Sequence, residues 1–71
     1  MNLELKYNIT CYIKQGNDLI SKTLLLEYDS EYHMKTAVKN YGINGIFMTE
    51  NDIIIYYPPH QIEKINIISI Q

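Results

Sequence analysis

Apolar residues occupy every second position near the start of the chain, and this pattern constrains the fold more than any other feature. The apolar positions are Leu3, Leu5, Tyr7, Ile9, Cys11 and Ile13, with Glu4, Lys6, Asn8 and Thr10 between them. Because neighbouring side chains of a strand point to opposite faces, the pattern predicts a β-strand with one buried face. The turn-forming run at residues 15–18 then predicts a hairpin, with a second antiparallel strand over residues 19–28.

The spacing of apolar residues becomes helical after Tyr28. Asp29 or Ser30 can cap a helix, and the apolar stripe of that helix is Met34, Ala37, Val38 and Tyr41. Gly42 is predicted to end the helix near residues 40–41.

Three shorter strands are predicted to follow the helix. Residues 43–49 form the first, which Asn44-Gly45 interrupts, and residues 50–52 form a turn. Residues 53–57 are apolar at both phases, so the second of these strands is predicted to be central or covered on both faces. Pro58-Pro59 end it, residues 60–64 make a short turn, and residues 65–70 form the last strand. The predicted fold is α+β, a small antiparallel sheet or a partly closed small barrel with one helix.

The segment Tyr56-Tyr57-Pro58-Pro59-His60-Gln61-Ile62, with the apolar strand that extends it to residue 70, resembles the end of SH3-like and Sm-like small barrels. Those barrels end in a strand, a single 3₁₀ turn and a closing strand, so the resemblance implies barrel topology. Gln61 stands where proline-binding SH3 domains carry an aromatic residue, and the chain has no tryptophan and no acidic aromatic motif near its start. Recognition of proline-rich peptides is therefore not implied. A helix between the second and third strands also departs from the pattern, and it leaves an open sheet packed on one helix as the alternative.

Length and composition limit the classes of protein that the chain can belong to. Its 71 residues are expected to form one domain, residues 1–71, with an apolar content of 46%. Cys11 is the only cysteine, so no intrachain disulfide can form. The apolar runs fall far short of the roughly 20 residues that a membrane helix needs, and residues 1–6 lack the pattern of a signal peptide. We therefore expect a cytoplasmic location and no membrane partner.

No arrangement of residues predicts catalysis, a metal or a cofactor. His33 and His60 are the only histidines, and neither belongs to a cluster with the spacing of metal ligands. Gly42 and Gly45 lack the context of a phosphate-binding loop. Cys11 lies on the apolar phase of the first strand and is predicted to be buried and chemically inert. The chain is predicted not to be an enzyme.

Three groups of residues are candidates for contacts with partners. Tyrosines beside rigid prolines make a good contact patch, which predicts a partner-binding group. Its members are Tyr12, Tyr56, Tyr57, Pro58, Pro59 and His60. The second group is predicted to form an acidic face, and its members are Asp29, Glu31, Glu50 and Asp52. The third group is predicted to form an oligomer interface, most simply in a homodimer, and its members are Ile65, Ile67, Ile68 and Ile70.

The leading functional hypothesis is a non-enzymatic protein-interaction module. It is most simply a small phage or mobile-element accessory protein that binds and inhibits or modulates a host protein of defence or nucleic-acid handling. One alternative is an oligomer that binds a small ligand or nucleotide. Another is a barrel that binds single-stranded nucleic acid through stacked tyrosines. Nucleic acid is not the expected partner, because the six basic residues are all lysines and the net charge is −2.

Overall fold

The computed structural model describes residues 4–70, in which five strands and one α-helix form two antiparallel sheets. The elements are β1 (Leu5–Gln15), β2 (Asp18–Tyr28), α1 (Glu31–Asn44), β3 (Ile46–Glu50), β4 (Ile53–Tyr57), a 3₁₀ turn (Pro59–Gln61) and β5 (Ile62–Ile70). The predicted α+β class, with an antiparallel and partly open sheet, is confirmed. The predicted start of the first strand at Leu3 lies outside the described residues.

β1 and β2 form a long hairpin with a two-residue turn. Gln15 lies opposite Asp18, and Gly16 takes a φ of 60° in the turn between them. A glycine at positive φ in the first central position fits a type II′ turn, whose twist matches that of the flanking strands. Pairing extends from this turn to Leu5 and Tyr28, so both strands are paired along their whole length.

β1 is the central strand of the larger sheet, in which the strand order is β2-β1-β5. β5 begins at Ile62 rather than at the predicted Ile65, because the 3₁₀ turn uses only residues 59–61 and Ile62 already pairs with Ile13. The register shifts beside this pair, where Tyr12 lies opposite Lys64. Glu63 is therefore the extra residue of a β-bulge.

Ser30, one of the two predicted caps, begins helix α1. Its extended backbone places Oγ where it accepts a hydrogen bond from the backbone N–H of His33, at 3.1 Å. A serine in this role satisfies one of the amide groups that a helix start leaves unpaired.

The predicted end of the helix at Gly42 is wrong. α1 continues through Gly42 to Asn44, and Gly45 caps it with a φ of 86°. The Gly45 N–H donates to the Tyr41 carbonyl oxygen at 2.9 Å. Because Gly45 rather than Gly42 takes the positive φ, β3 begins at Ile46 and not at residue 43.

β3 and β4 form a second, two-stranded hairpin. Its turn places Asn51 and Asp52 at φ values of 49° and 66°, as a type I′ turn requires. The prediction that residues 53–57 form a central or doubly covered strand is wrong. Within the described residues β4 pairs with β3 alone, and the side chains of Ile53, Ile54 and Tyr56 are exposed.

The core lies between the inner face of the three-stranded sheet and the layer made by α1 and the β3–β4 hairpin. The buried residues are Tyr7, Ile9, Cys11, Ile13, Met34, Ile46, Met48 and Tyr57. Tyr28 and Tyr41 are half-buried and pack against this cluster. Burying the apolar phase of β1 is the main favourable contribution to folding, because stabilisation scales with the apolar area removed from water.

Within the described residues the strands do not close into a barrel, since β2 and β3 lie in different sheets and do not pair. A side-chain ion pair between Lys22 of β2 and Glu50 of β3 joins the two strands at one end. In the described part of the chain, no helix is both long enough and apolar enough to cross a bilayer.

Candidate interaction surfaces

The outer face of the β3–β4 hairpin carries large apolar side chains in contact with solvent. Phe47 is 68% exposed, Ile54 is 70% exposed and Tyr56 is 46% exposed. Phe47 lies opposite Tyr56 and Thr49 opposite Ile54, so these four side chains share one face. We call Phe47, Thr49, Ile54 and Tyr56 the hairpin face.

The aromatic pair of the hairpin face is held in place. The ring centroids of Phe47 and Tyr56 lie 4.9 Å apart at an interplanar angle of 40°. The Tyr56 hydroxyl donates to the Asn44 carbonyl oxygen at 2.7 Å, which satisfies one of the carbonyl groups at the end of α1. A side chain fixed in this way loses little conformational entropy when a partner covers it.

Between β2 and β3 lies a groove with a volume of 540 Å³. We call it the β2–β3 groove, and its lining residues are Leu24, Leu26, Asn40, Tyr41, Asn44, Gly45, Ile46, Phe47, Met48 and Thr49. None of these residues is charged. Burial, with a hydrogen bond to Tyr28 at 3.5 Å, raises the pKa of the Tyr41 hydroxyl, so that group also stays neutral.

Both strands that flank the groove have an unpaired edge within the described residues. In an antiparallel hairpin, alternate residues direct both backbone groups at the partner strand, and the residues between them direct theirs away. The turn closed by Gln15 and Asp18 fixes this phase for β2, so Leu19 and Leu25 are among the residues whose backbone groups face away from β1. The corresponding residues of β3 are Phe47 and Thr49.

The six residues of the predicted partner-binding group do not form one patch. Tyr56 belongs to the hairpin face, whereas Tyr57 is buried, as opposite faces of one strand require. Pro58 and Pro59 are half-buried and His60 is exposed in or beside the 3₁₀ turn.

Tyr12 lies on the outer face of the other sheet, away from the hairpin face. The Lys64 ammonium group sits 5.0 Å from the centre of its ring, and the Asn66 amide donates to its hydroxyl at 3.5 Å. A cation over the ring covers one face of this tyrosine.

The four residues of the predicted acidic face fall into two groups. Asp29 and Glu31 lie where β2 leads into α1, and Glu50 and Asp52 lie at the β3–β4 turn. The two groups lie far apart, because Lys22, which pairs with Glu50, is seven positions from Asp29 along the chain. Seven positions of an extended strand span about 23 Å.

Lysines pair with two of these four carboxylates, and a histidine ring contacts a third. Asp29 pairs with His33, Glu31 with Lys35 at 3.5 Å, and Glu50 with Lys22. The hydrogen bond from His33 lowers the pKa of Asp29, and the one to Glu50 raises the pKa of Lys22. A hydrogen bond to the charged form of a group stabilises that form, which accounts for the direction of both pKa shifts.

The isoleucines of the predicted oligomer interface lie on β5, which is an edge strand. Ile65 and Ile67 share the inner phase with their β1 partners Cys11 and Ile9, whereas Ile68 and Ile70 point to the outer face. Ile68 is the most exposed of the four.

The predicted burial of Cys11 is confirmed, since its side chain is inaccessible to solvent. His33 contacts the carboxylate of Asp29 and the ring of Tyr32, and its ring is exposed. Over residues 4–70, no three His, Cys, Asp or Glu side chains lie close enough together to hold a metal ion.

The candidates from the sequence include Tyr56, but they do not include Phe47, Ile54 or the groove. The alternation of Phe47 with Met48 and of Ile54 with Ile55 does place one residue of each pair on the outer face. That signal was available, but a strand apolar at both phases also fits a fully buried position.

No family model, no curated protein and no solved structure matches this chain.

Proposed function

We propose that this protein is a non-enzymatic interaction module that binds another protein through the hairpin face. The observation that carries the proposal is the exposed, prearranged pair of Phe47 and Tyr56 with Ile54 beside it. Contiguous exposed apolar side chains are typical of contact sites, and aromatic residues contribute most of the binding energy there. The polar Thr49 and the nearby turn would form part of the rim.

The small size, the net charge of −2 and the lack of a catalytic arrangement in the sequence also favour a modulator over an enzyme. In this proposal the partner is a host protein in the cytoplasm, and the chain acts as a phage or mobile-element accessory protein that inhibits or modulates it. Host defence and nucleic-acid handling are the proposed settings, because an acidic domain can compete for a surface meant for phosphates.

Two isoleucine substitutions at adjacent positions test the hairpin face. Ile54→Lys places a charge on the face, while Ile53→Lys places the same charge on the neighbouring residue, which is 62% exposed and points to the opposite side. A partner captured from a bacterial lysate is identified by mass spectrometry and then purified for titration. We expect Ile54→Lys to weaken its binding about tenfold or more and Ile53→Lys to leave it within a factor of about two. Equal binding by both variants would contradict the proposal.

We also propose that the chain forms a homodimer through the free edge of β5. The chain exposes 5336 Å², about 700 Å² more than the roughly 4,600 Å² expected for a monomer of its mass. That excess is close to the roughly 800 Å² that each partner buries in a standard interface. A two-fold axis beside β5 would pair its backbone groups and cover Ile65, Ile67, Ile68 and Ile70.

Sedimentation equilibrium at low micromolar concentration tests the dimer. The dimer is expected for the unmodified chain, and Ile67→Pro is expected to dissociate it. The N–H of Ile67 faces away from β1, because its neighbours Asn66 and Ile68 form the bonded pairs, so a proline there leaves the ladder to β1 intact. A single species of 8.4 kDa for the unmodified chain would overturn the proposal.

A further inference from the structure

The two walls of the β2–β3 groove present unpaired backbone groups on facing strands. Thr23, Leu25 and Glu27 on β2 direct their N–H and C=O groups away from β1, and Phe47 and Thr49 on β3 direct theirs away from β4. The Lys22–Glu50 ion pair closes one end of the gap. Such free edges are templates for an added strand.

The lining selects for an apolar, uncharged occupant. Side chains of Leu24, Leu26, Ile46 and Met48 belong to the inner phases of their strands, and Tyr41 of α1 completes the apolar part of the lining. A charged side chain entering there would lose hydration without gaining an oppositely charged partner among the ten lining residues. The amides of Asn40 and Asn44 offer polar contacts at the helical side.

We propose that the β2–β3 groove binds an extended, uncharged segment of a partner protein, which adds to the free edge of β2 as a fourth strand of the larger sheet. Backbone hydrogen bonds to Thr23, Leu25 and Glu27 supply affinity, and alternate apolar side chains of the segment enter the groove. The five residues of β3 span about 17 Å, which limits the bound stretch to about five residues. A compact apolar molecule would fill the volume but leave the strand edges unpaired.

The inference rests on the proposed function as an interaction module. It concerns the β2–β3 groove, which does not include Ile54, and it specifies the form of the bound partner segment. The probe is a library of random peptides displayed on phage, followed by fluorescence anisotropy with the recovered peptide in synthetic form. We expect recovery of peptides with an uncharged stretch that is apolar at alternate positions. Failure to recover any peptide would overturn the inference.

Two leucine substitutions on the same edge provide the matched test. Leu25 and Leu19 are 61% and 55% exposed, and the backbone N–H of each faces away from β1. Proline at either position removes one outward donor and keeps the ladder to β1. Only Leu25 lies between groove residues, so Leu25→Pro should weaken peptide binding about tenfold, whereas Leu19→Pro should change it by a factor of about two or less.

A second measurement uses the unmodified protein, so it holds even if Leu25→Pro fails to fold. The peptide is methylated on two backbone nitrogens that are two residues apart, in each of the two possible phases. Strand addition predicts a loss of about tenfold or more in at least one phase. Unchanged binding in both phases, or equal binding by Leu25→Pro and Leu19→Pro, would overturn the inference.

Two further outcomes separate this inference from the other proposals. A dimer that Leu25→Pro dissociates and Ile67→Pro leaves intact would place a second copy in the groove, and would overturn the inference. Ile54→Lys should leave peptide binding unchanged, because Ile54 does not line the groove. If Ile54→Lys loses partner binding and the unmodified protein binds no peptide, the groove inference is wrong and the proposal for the hairpin face is supported.

Discussion

Cys11 shows how the phase of one residue in a strand decides its chemistry. It lies on the inner face of β1 between Ile9 and Ile13, opposite Lys22 on β2 and Ile65 on β5. The thiolate is the reactive form of cysteine, and burial raises the pKa of the Cys11 thiol. A buried thiol with a raised pKa acts as a small apolar side chain.

We predict that Cys11 reacts slowly with a thiol reagent in the native protein. At neutral pH the raised pKa lowers the thiolate fraction, and burial blocks the reagent, so both effects act in the same direction. Labelling is followed by absorbance, with the urea-unfolded chain as the control. A native rate equal to that of the unfolded chain would show that the thiol is accessible.

At the scale of the elements, the junction between α1 and β3 depends on one glycine. Gly45 has a φ of 86° and a ψ of −175°, a combination that is essentially restricted to glycine. A Cβ at this position would lie 2.8 Å from the Tyr56 ring and closer still to the Tyr57 carbonyl oxygen. The junction therefore brings the helix end against β4, and it places Tyr56 where its hydroxyl reaches Asn44.

We predict opposite effects on stability from alanine at the two glycines of this region. Gly45→Ala should lower the free energy of unfolding by about 1–3 kcal/mol from the backbone conformation alone, and contact with β4 adds to that loss. Gly42→Ala should raise it by about 0.5–1 kcal/mol, because Gly42 is helical and a Cβ there meets no atom within 4 Å. Urea unfolding measures both. Destabilisation by Gly42→Ala, or none by Gly45→Ala, would contradict this assignment of the cap.

The strands could be predicted from the sequence where one face is polar, but their partners could not. Alternation located β1 and β2, and the change of period placed the start of α1 at Asp29 or Ser30. The sequence prediction failed at Gly42, because a glycine near the end of a helix can lie inside the helix. Only the approach of β4 decides that Gly45 is the cap. The prediction also failed at residues 53–57, since an apolar strand in contact with solvent has the same sequence pattern as a buried one.

The candidate surfaces also include features that the sequence could predict and features that it could not. The sequence could predict that one of Tyr56 and Tyr57 is exposed, because neighbouring residues of a strand face opposite sides, but not that Tyr57 is the buried one. The β2–β3 groove could not be predicted, since it lies between two strands that the helix α1 separates along the chain. Lys22, which breaks the apolar phase of β2, became understandable only with Glu50 beside it.

At the scale of the whole molecule, the lysines of the chain are largely engaged by its own side chains. Within residues 4–70, Lys6, Lys14, Lys22 and Lys35 form ion pairs with glutamates, and Lys64 lies over the ring of Tyr12. Surface pairs of this kind contribute little to stability, but they offset positive charge on the surface.

We predict that the protein has no strong affinity for single-stranded nucleic acid. Affinity for phosphates comes from clustered cations that release counterions, and here six lysines face eight acidic residues. Fluorescence anisotropy with a random oligonucleotide at physiological salt measures it, with the same titration at low salt as the control. Sub-micromolar binding at physiological salt would favour the nucleic-acid alternative over the protein-interaction module.

The position of β1 between β2 and β5 has a consequence for the order of folding. The β1–β2 hairpin is local, because the two strands are joined by a two-residue turn. The other edge of β1 pairs with β5, where Lys6 lies opposite Ile70 and Ile13 opposite Ile62. Closing that long loop costs entropy before its contacts form, and such non-local pairing slows folding. We therefore expect the central strand to stay half-paired until β5 is available, and closure of this loop to set the time at which the core is sealed.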